Sequence, residues 1–238
     1  MIGDGVELHN VASTAPVDGG VRLERVPPAI REGLNEGAQE NYVRPDGVEI
    51  RVVTDGPVEV TLSCPNGECE VTPFWGSFRA RTTEYVTVGP EPTTVELSFP
   101  DRLAGLDADA ADHAFAPRVA RLVLFGDPTV LHGVEDETRP PRDGEVPDRS
   151  LLAYGTSITQ GAFASRQHLT FPSLTAQHLD ADLSNLGTGG SAFCEPEIAE
   201  YIAARDDWDA ATIEVSVNML TRDFTAAEFG ERAEYLLD

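Results

Sequence analysis

Lysine is absent from this 238-residue sequence, and its 17 basic side chains are all arginine. Against them stand 41 acidic residues, for a net charge of -24. The acidic residues are spread through both halves, which marks a solvated surface and not a local tail. Such a surface repels phosphate backbones and anionic headgroups, so nucleic acid and membrane are not expected as partners. The same balance suits a cytoplasm of molar salt, where screening removes the self-repulsion. A salt-adapted cytoplasmic protein is therefore expected. Long apolar runs are also missing. The longest, such as VARLVLFG, fall far short of the roughly 20 residues that span a bilayer. The first ten residues, MIGDGVELHN, show neither the basic nor the apolar region of a secretory signal. Sulfur is scarce, with three cysteines and two methionines. Cys64 and Cys69 flank the turn sequence PNGE, yet no second Cys/His pair lies near them, so free thiols are expected over a hairpin disulfide or half of a metal site. No metal and no organic cofactor is implied.

What is present divides in two. Strands are expected at VEIRVVT (48–54), VEVTLSC (58–64), TEYVTVG (83–89), TTVELSF (93–99) and RVARLVLFG (118–126). These are rich in Val and Thr and separated by Gly, Pro, Asn and Asp turns, a spacing that suggests a sandwich or jelly roll over residues 1–140. One helix is expected to start at Pro27-Pro28. The Pro-rich, charged stretch TRPPRDGEVPDRS (138–150) is the candidate linker. From 148 to 238 strands and helices alternate: LLAYG, a helix at 170–179, ADLSNLG (181–187), a helix at 196–205 opened by Pro196, ATIEVSV (211–217), and a helix at 226–237 capped by Thr225. That alternation implies a parallel sheet with helices on both faces, of which three strands are present.

Ser157 follows the apolar run LLAYG on a tight Gly-Thr-Ser turn, where an α/β sheet presents a nucleophile. A serine in that place is commonly only a helix cap, and the flanking residues are not the G-x-S-x-G elbow. The ordered set argues for more. Gly155-Thr156-Ser157, Asn185-x-x-x-x-Gly190 and Ser216-Val217-Asn218 each fall at the carboxyl end of an expected strand, and such loops converge on one crevice. The Ser157 N–H, the Gly190 N–H and the Asn218 amide would make a three-donor hole for a tetrahedral oxyanion, each donor being worth about 10²–10³ in rate. Gly187 to Ala192 also fits the dinucleotide fingerprint, but it follows the second strand and no acidic residue ends the next one. Glu195 and Glu197 are explained by the start of a helix. Trp75 and Phe78 are expected in a core, ahead of a sugar-stacking platform.

These residues resemble the SGNH (GDSL-type) hydrolases. YGTSITQG is similar to the family's first block, NLGTGG to its second and VSVN to its third. The resemblance implies a flavodoxin-like catalytic unit and ester cleavage, with Ser157 as nucleophile and Gly190 and Asn218 in the oxyanion hole. It covers about 148–238, and the first half is similar to the accessory sandwich that precedes the catalytic unit in some members. Two departures stand out. Ser216 replaces the usual Gly of the third block, and the last block, D-x-x-H, is not found. None of His9, His113, His132, His168 and His178 sits in a matching motif; His168 is the nearest along the chain to the first block. The chain thus reads as the first two-thirds of a hydrolase of small or carbohydrate-linked esters, inactive alone. The exposed edge of its third strand is then expected to cause self-association or to receive a complementing chain. The alternative is a non-catalytic remnant or a glycan- or partner-binding module.

Overall fold

The computed structural model describes residues 5–80, 85–106, 114–135, 137–215 and 217–238. Its first part runs β1 (Glu7–His9), β2 (Ser13–Val17), β3 (Gly20–Glu24), α1 (Pro28–Arg31), α2 (Glu36–Asn41), β4 (Glu49–Val53), β5 (Val58–Ser63), β6 (Cys69–Trp75), β7 (Phe78–Arg79), β8 (Val86–Val88), β9 (Thr93–Leu97), β10 (Val119–Gly126) and β11 (Val130–Glu135). These strands form two antiparallel sheets. One has the order β1-β4-β10-β6-β7, with β8 also on β6; the other has the order β2-β3-β11-β5-β9. Alternate residues face inward from each strand. Ile50, Val52, Leu122, Leu124 and Val71 from the first sheet meet Leu23, Val60, Leu62, Val95 and Leu131 from the second in one dry core. Trp75 and the partly buried Phe78 belong to it, and the Trp75 indole donates to Ser98 O at 3.1 Å.

The second part runs β12 (Arg149–Gly155), α3 (Ser157–Gln160), α4 (Phe171–His178), β13 (Ala181–Gly187), α5 (Pro196–Ala203), β14 (Ala210–Glu214), α6 (Val217–Leu220) and α7 (Ala226–Leu237). The three strands are parallel in the order β13-β12-β14. In chain order that is 2-1-3, the opening of a flavodoxin-like sheet, whose crevice lies at the carboxyl ends where the order reverses. Strand alternation sends Leu151 and Leu183 toward α4. Leu152, Tyr154 and Leu186 go to the other face, with Ile198 and Ile202 of α5. Thr225 caps α7 through a full capping box with Glu228.

Two expectations are corrected. The helix expected at Pro27-Pro28 is two short ones, because Asn35 starts a new helix by accepting from the Ala38 N–H. The third strand of the sheet ends at Glu214, and Asn218 lies in the helical turn α6 and not on strand. The candidate linker 138–150 makes defined contacts. Arg139 and Val53 exchange backbone hydrogen bonds of 3.1 and 2.7 Å, and the Arg139 guanidinium grips Glu145. Residues 83 and 84 of an expected strand, His113 and Ser216 lie outside the described residues.

The two parts meet along the outer edge of β13. Alternate carbonyls of that edge accept side-chain donors from the first part. His9 Nε2 donates to Leu183 O at 2.7 Å, Asn10 to Asn185 O at 3.1 Å, and the buried Arg25 to Asn185 O and Gly187 O at 3.0 Å each. An edge that would otherwise invite foreign strands is thus covered. β14, by contrast, pairs only with β12 among the described residues.

Candidate active site

Ser157 opens α3 at the carboxyl end of β12, directly after the N-cap Thr156. In a first turn the backbone N–H groups have no acceptor within the helix, so the Ser157 N–H stays available. The turn is pinned from the neighbouring strand. The Glu214 carboxylate accepts from the Thr156 N–H at 2.9 Å, from the Thr156 hydroxyl at 2.5 Å and from the Thr159 hydroxyl at 3.3 Å. Thr156 is fully buried, so this bracket fixes the direction in which the turn presents Ser157.

The loop after β13 crosses in front of that turn. Its closest approach is at Gly189, where a Cβ would lie 2.6 Å from Gln160 Oε1 and 3.3 Å from the Ser157 Cβ. Gly189 is therefore required by proximity. Gly190 is required by conformation: its φ is +70°, and the space beside it is open. Gln160, nearly buried, accepts from the Gly189 N–H at 2.6 Å. Its amide nitrogen donates to the fully buried Asp46 carboxylate. Asn41 Nδ2 donates to Gly189 O at 2.9 Å and to Ser191 Oγ at 3.1 Å. Asn218, 6% exposed, accepts at Oδ1 from the Ala192 N–H at 3.1 Å. A groove of about 550 Å³ opens beside Gly190, walled by Glu36 and Glu40 on one side and by Phe193, Arg222 and Phe224 on the other. Of these residues the sequence had pointed to Ser157, Gly190 and Asn218; Asn41, Gln160 and Glu214 were missed. No local motif marks Asn41, while Gln160 lies within YGTSITQG and Glu214 sits four residues before Asn218 as a carboxylate at the end of an apolar strand.

The four described histidines are engaged elsewhere. His9 holds Leu183 O, and His132 bonds Ser63 Oγ and Gly19 O. His178 ends α4. His168 stands edge-on to Phe74, 5.3 Å between centroids. It lines a cavity of about 390 Å³ at the seam of the two parts. Burial, with Arg79 and Arg166 nearby, pushes its pKa down to about 4. The three cysteines are free and buried, and burial raises Cys64 to about 11 and Cys69 to about 12. Glu195 is the N-cap of α5, and its carboxylate accepts from the Asn35 amide at 2.5 Å. It is thus a tie to α2 as well as a helix start. Among the described residues no three His, Cys, Asp or Glu side chains are grouped to hold a metal ion. No helix there is long and apolar enough to cross a membrane.

No curated protein matches the sequence. The chain is similar in structure to the salicylyl-acyltransferase SsfX3 from a tetracycline biosynthetic pathway, with a TM-score of 0.75 at 16% identity over 98% of this chain and 67% of that one. It is also similar to a GDSL-like lipase candidate from Bacteroides ovatus, with a TM-score of 0.65 at 18% identity over 98% and 67%. A family two carbohydrate esterase from Clostridium thermocellum in complex with cellohexaose gives 0.52 at 14% identity over 80% and 66%. The chain thus spans about two thirds of the length of these neighbours, and at such identities the likeness shows a shared fold. Residues 148–237 match the GDSL-like Lipase/Acylhydrolase family. That matched stretch is the part of the chain that carries Ser157, Gly190 and Asn218.

Proposed function

We propose that this chain carries the nucleophile and oxyanion hole of a serine ester hydrolase. Ser157 Oγ attacks the ester carbonyl carbon, the carbonyl oxygen becomes an oxyanion, and the alcohol leaves as the acyl-enzyme forms; water then releases the acid. The Ser157 N–H, the Gly190 N–H and the Asn218 amide hold the oxyanion. The anchoring of Asn218 carries this reading. Its oxygen is occupied by the Ala192 N–H, so its NH2 end is left to donate. The proton of Ser157 needs an acceptor, and the contacts described for His9, His132 and His168 are to other groups. Small or carbohydrate-linked esters are the proposed substrates, in keeping with the groove beside Gly190, which mixes Glu36, Glu40 and Arg222 with Phe193 and Phe224, and with the esterase among the structural neighbours.

The placement of those histidines favours a second reading, in which the chain alone is a non-catalytic module that binds a glycan or a partner. Release of p-nitrophenol from p-nitrophenyl acetate in molar KCl, with acyl-adduct mass spectrometry, separates the two. Release and an adduct on Ser157, both lost in Ser157→Ala, are expected. Equal release by the two folded proteins, with no adduct, would leave the binding reading in its place.

A further inference from the structure

We propose that Asn41, outside the family-matched region, is a positioning residue that sets the direction of the Gly190 N–H. The consequence for catalysis rests on the hydrolase reading above; the geometry does not. Asn41 Nδ2 faces two oxygens, Gly189 O and Ser191 Oγ, at 2.9 and 3.1 Å, so the NH2 end of the amide must point there. The Gly189 carbonyl and the Gly190 N–H belong to one peptide unit. That unit is planar and trans, and its C=O and N–H point in opposite directions. Drawing the carbonyl toward α2 therefore turns the Gly190 N–H away from α2.

The anchor is needed because this peptide lies between two glycines. No Cβ on either side opposes its rotation, and Gly190 has open space around it. The peptide on the other side of Gly189 is already fixed through its N–H by Gln160 at 2.6 Å. On this side the Ser191 hydroxyl donates to the Gly189 carbonyl at 3.2 Å, and Asn41 supplies the shorter bond while holding that hydroxyl as well. Asn41 is itself held, since its backbone carbonyl accepts from the fully buried Arg25 at 2.9 Å. The segment that contributes Asn41 packs Tyr42 and Ala38 into the same core as Leu186 and Ala192. The restraint is thus built on a rigid base and not on a loop.

The test uses the full chain, labelled with 15N. In the wild-type protein the Gly190 N–H is expected to be as ordered as the strands, with an order parameter of about 0.85. Asn41→Asp keeps the shape of the side chain and cannot donate, so a role in filling space would survive it. In that variant the Gly190 order parameter is expected to fall below about 0.6, with its residual dipolar coupling averaged and the amides of β12 unchanged. A Gly190 amide unaltered in Asn41→Asp would overturn the proposal. So would a mobile Gly190 in the folded wild-type protein, which needs no variant at all. Phenylboronic acid, followed by 11B NMR, reads the consequence. A tetrahedral adduct lost in Ser157→Ala is expected, weakened roughly tenfold or more in Asn41→Asp. Absence of any Ser157-dependent adduct in the wild type would count against the hydrolase reading, while the amide measurements would still decide the role of Asn41.

Discussion

Asp182→Asn should cost far more than its modest chemistry suggests, because of where Arg51 lies. Arg51 is fully buried at the seam, and Asp182 is 9% exposed. Both guanidinium nitrogens donate to the Asp182 carboxylate at 2.6 Å. The substitution keeps the volume, removes the charge and turns one acceptor into a donor facing a donor. Breaking a buried pair by removing one partner costs about 3–5 kcal/mol. Arg51 retains Glu49 at 2.8 Å and Glu7 at 3.0 Å, so the low end applies, about 3 kcal/mol. For a chain of this size that is a fall in Tm of roughly 6–12 °C. Asp207→Asn is the control: Asp207 pairs with Arg205 at 2.7 Å but is 61% exposed, so at most about 1 kcal/mol is expected. Thermal melts followed by circular dichroism in molar KCl would read both, since salt screens a buried pair far less than an exposed one. Acid adds a second readout. Burial alone would raise the Asp182 and Glu49 carboxyls, but the facing side chains, His9 and Arg51 for the first and Arg121 and Arg51 for the second, hold both below their ordinary values. A depressed carboxyl stabilises the fold above its unfolded pKa, near 4. That contribution is lost as the pH falls through the depressed value. The wild type should therefore weaken below about pH 4, and Asp182→Asn more gradually. A variant within about 1 kcal/mol of wild type, or an unchanged acid slope, would refute the reasoning.

Gly189→Ala places a Cβ 2.6 Å from Gln160 Oε1. It should lower stability by about 1–3 kcal/mol and abolish Ser157-dependent acylation, checked by melts and mass spectrometry. His168 is neutral when folded, with its pKa lowered to about 4 by burial and by Arg79 and Arg166. The unfolded chain takes up the proton first, so stability should fall as pH drops from about 6.5 toward 4, and His168→Gln should flatten urea midpoints over that window. The charge of -24 should loosen the fold on desalting and let it recover in molar KCl, visible in near-ultraviolet circular dichroism. The free edge of β14 should give concentration-dependent association, which light scattering at high salt would detect.

The strands and helices that the sequence showed best are those whose residues agree with one period throughout. The Thr225-capped helix is one such case. What it hid has local causes. β6 contains Pro73, which reads as a break. In the fold the Pro73 carbonyl accepts from Ala80 N at 3.0 Å on the β7 side. Its nitrogen points to the same side, between the end of the β8 ladder at Val71 and the start of the β7 ladder at Phe74, where no ladder bond is needed. β11 carries a bulge between Leu131 and Gly133, which breaks the alternation that would have marked it. Glu49 and Arg51 look like the wet face of a strand. They are buried because that face packs on the second part of the chain, a fact of tertiary arrangement that no local pattern carries.

The candidate site shows the same division between what a motif can tell and what it cannot. Ser157, Gly190 and Asn218 could be named because chemistry demands those residue types in that order. Those of their supports that come from residues 9 to 42 could not, since they lie far away in the chain. Between Leu183 and Ser191, six carbonyls accept from side chains of residues 9 to 42: His9, Asn10, Arg25, Tyr42, Asn41 and Asn35. Exposed to water, those carbonyls would be solvated at little cost. The apolar contacts would not be recovered. Val26, Leu34 and Tyr42, all nearly or fully buried, pack against Leu186, Ala192 and Ile198, and burying each such side chain is worth about 1.5–3 kcal/mol. Together that is roughly 5–9 kcal/mol, as large as the whole stability of many domains. Residues 148–238 expressed alone should therefore show no cooperative melt, although they contain every residue of the motif. A sharp transition in that segment, within a few degrees of the full chain, would mean that the family-matched part holds its own site and that residues 9 to 42 only decorate it.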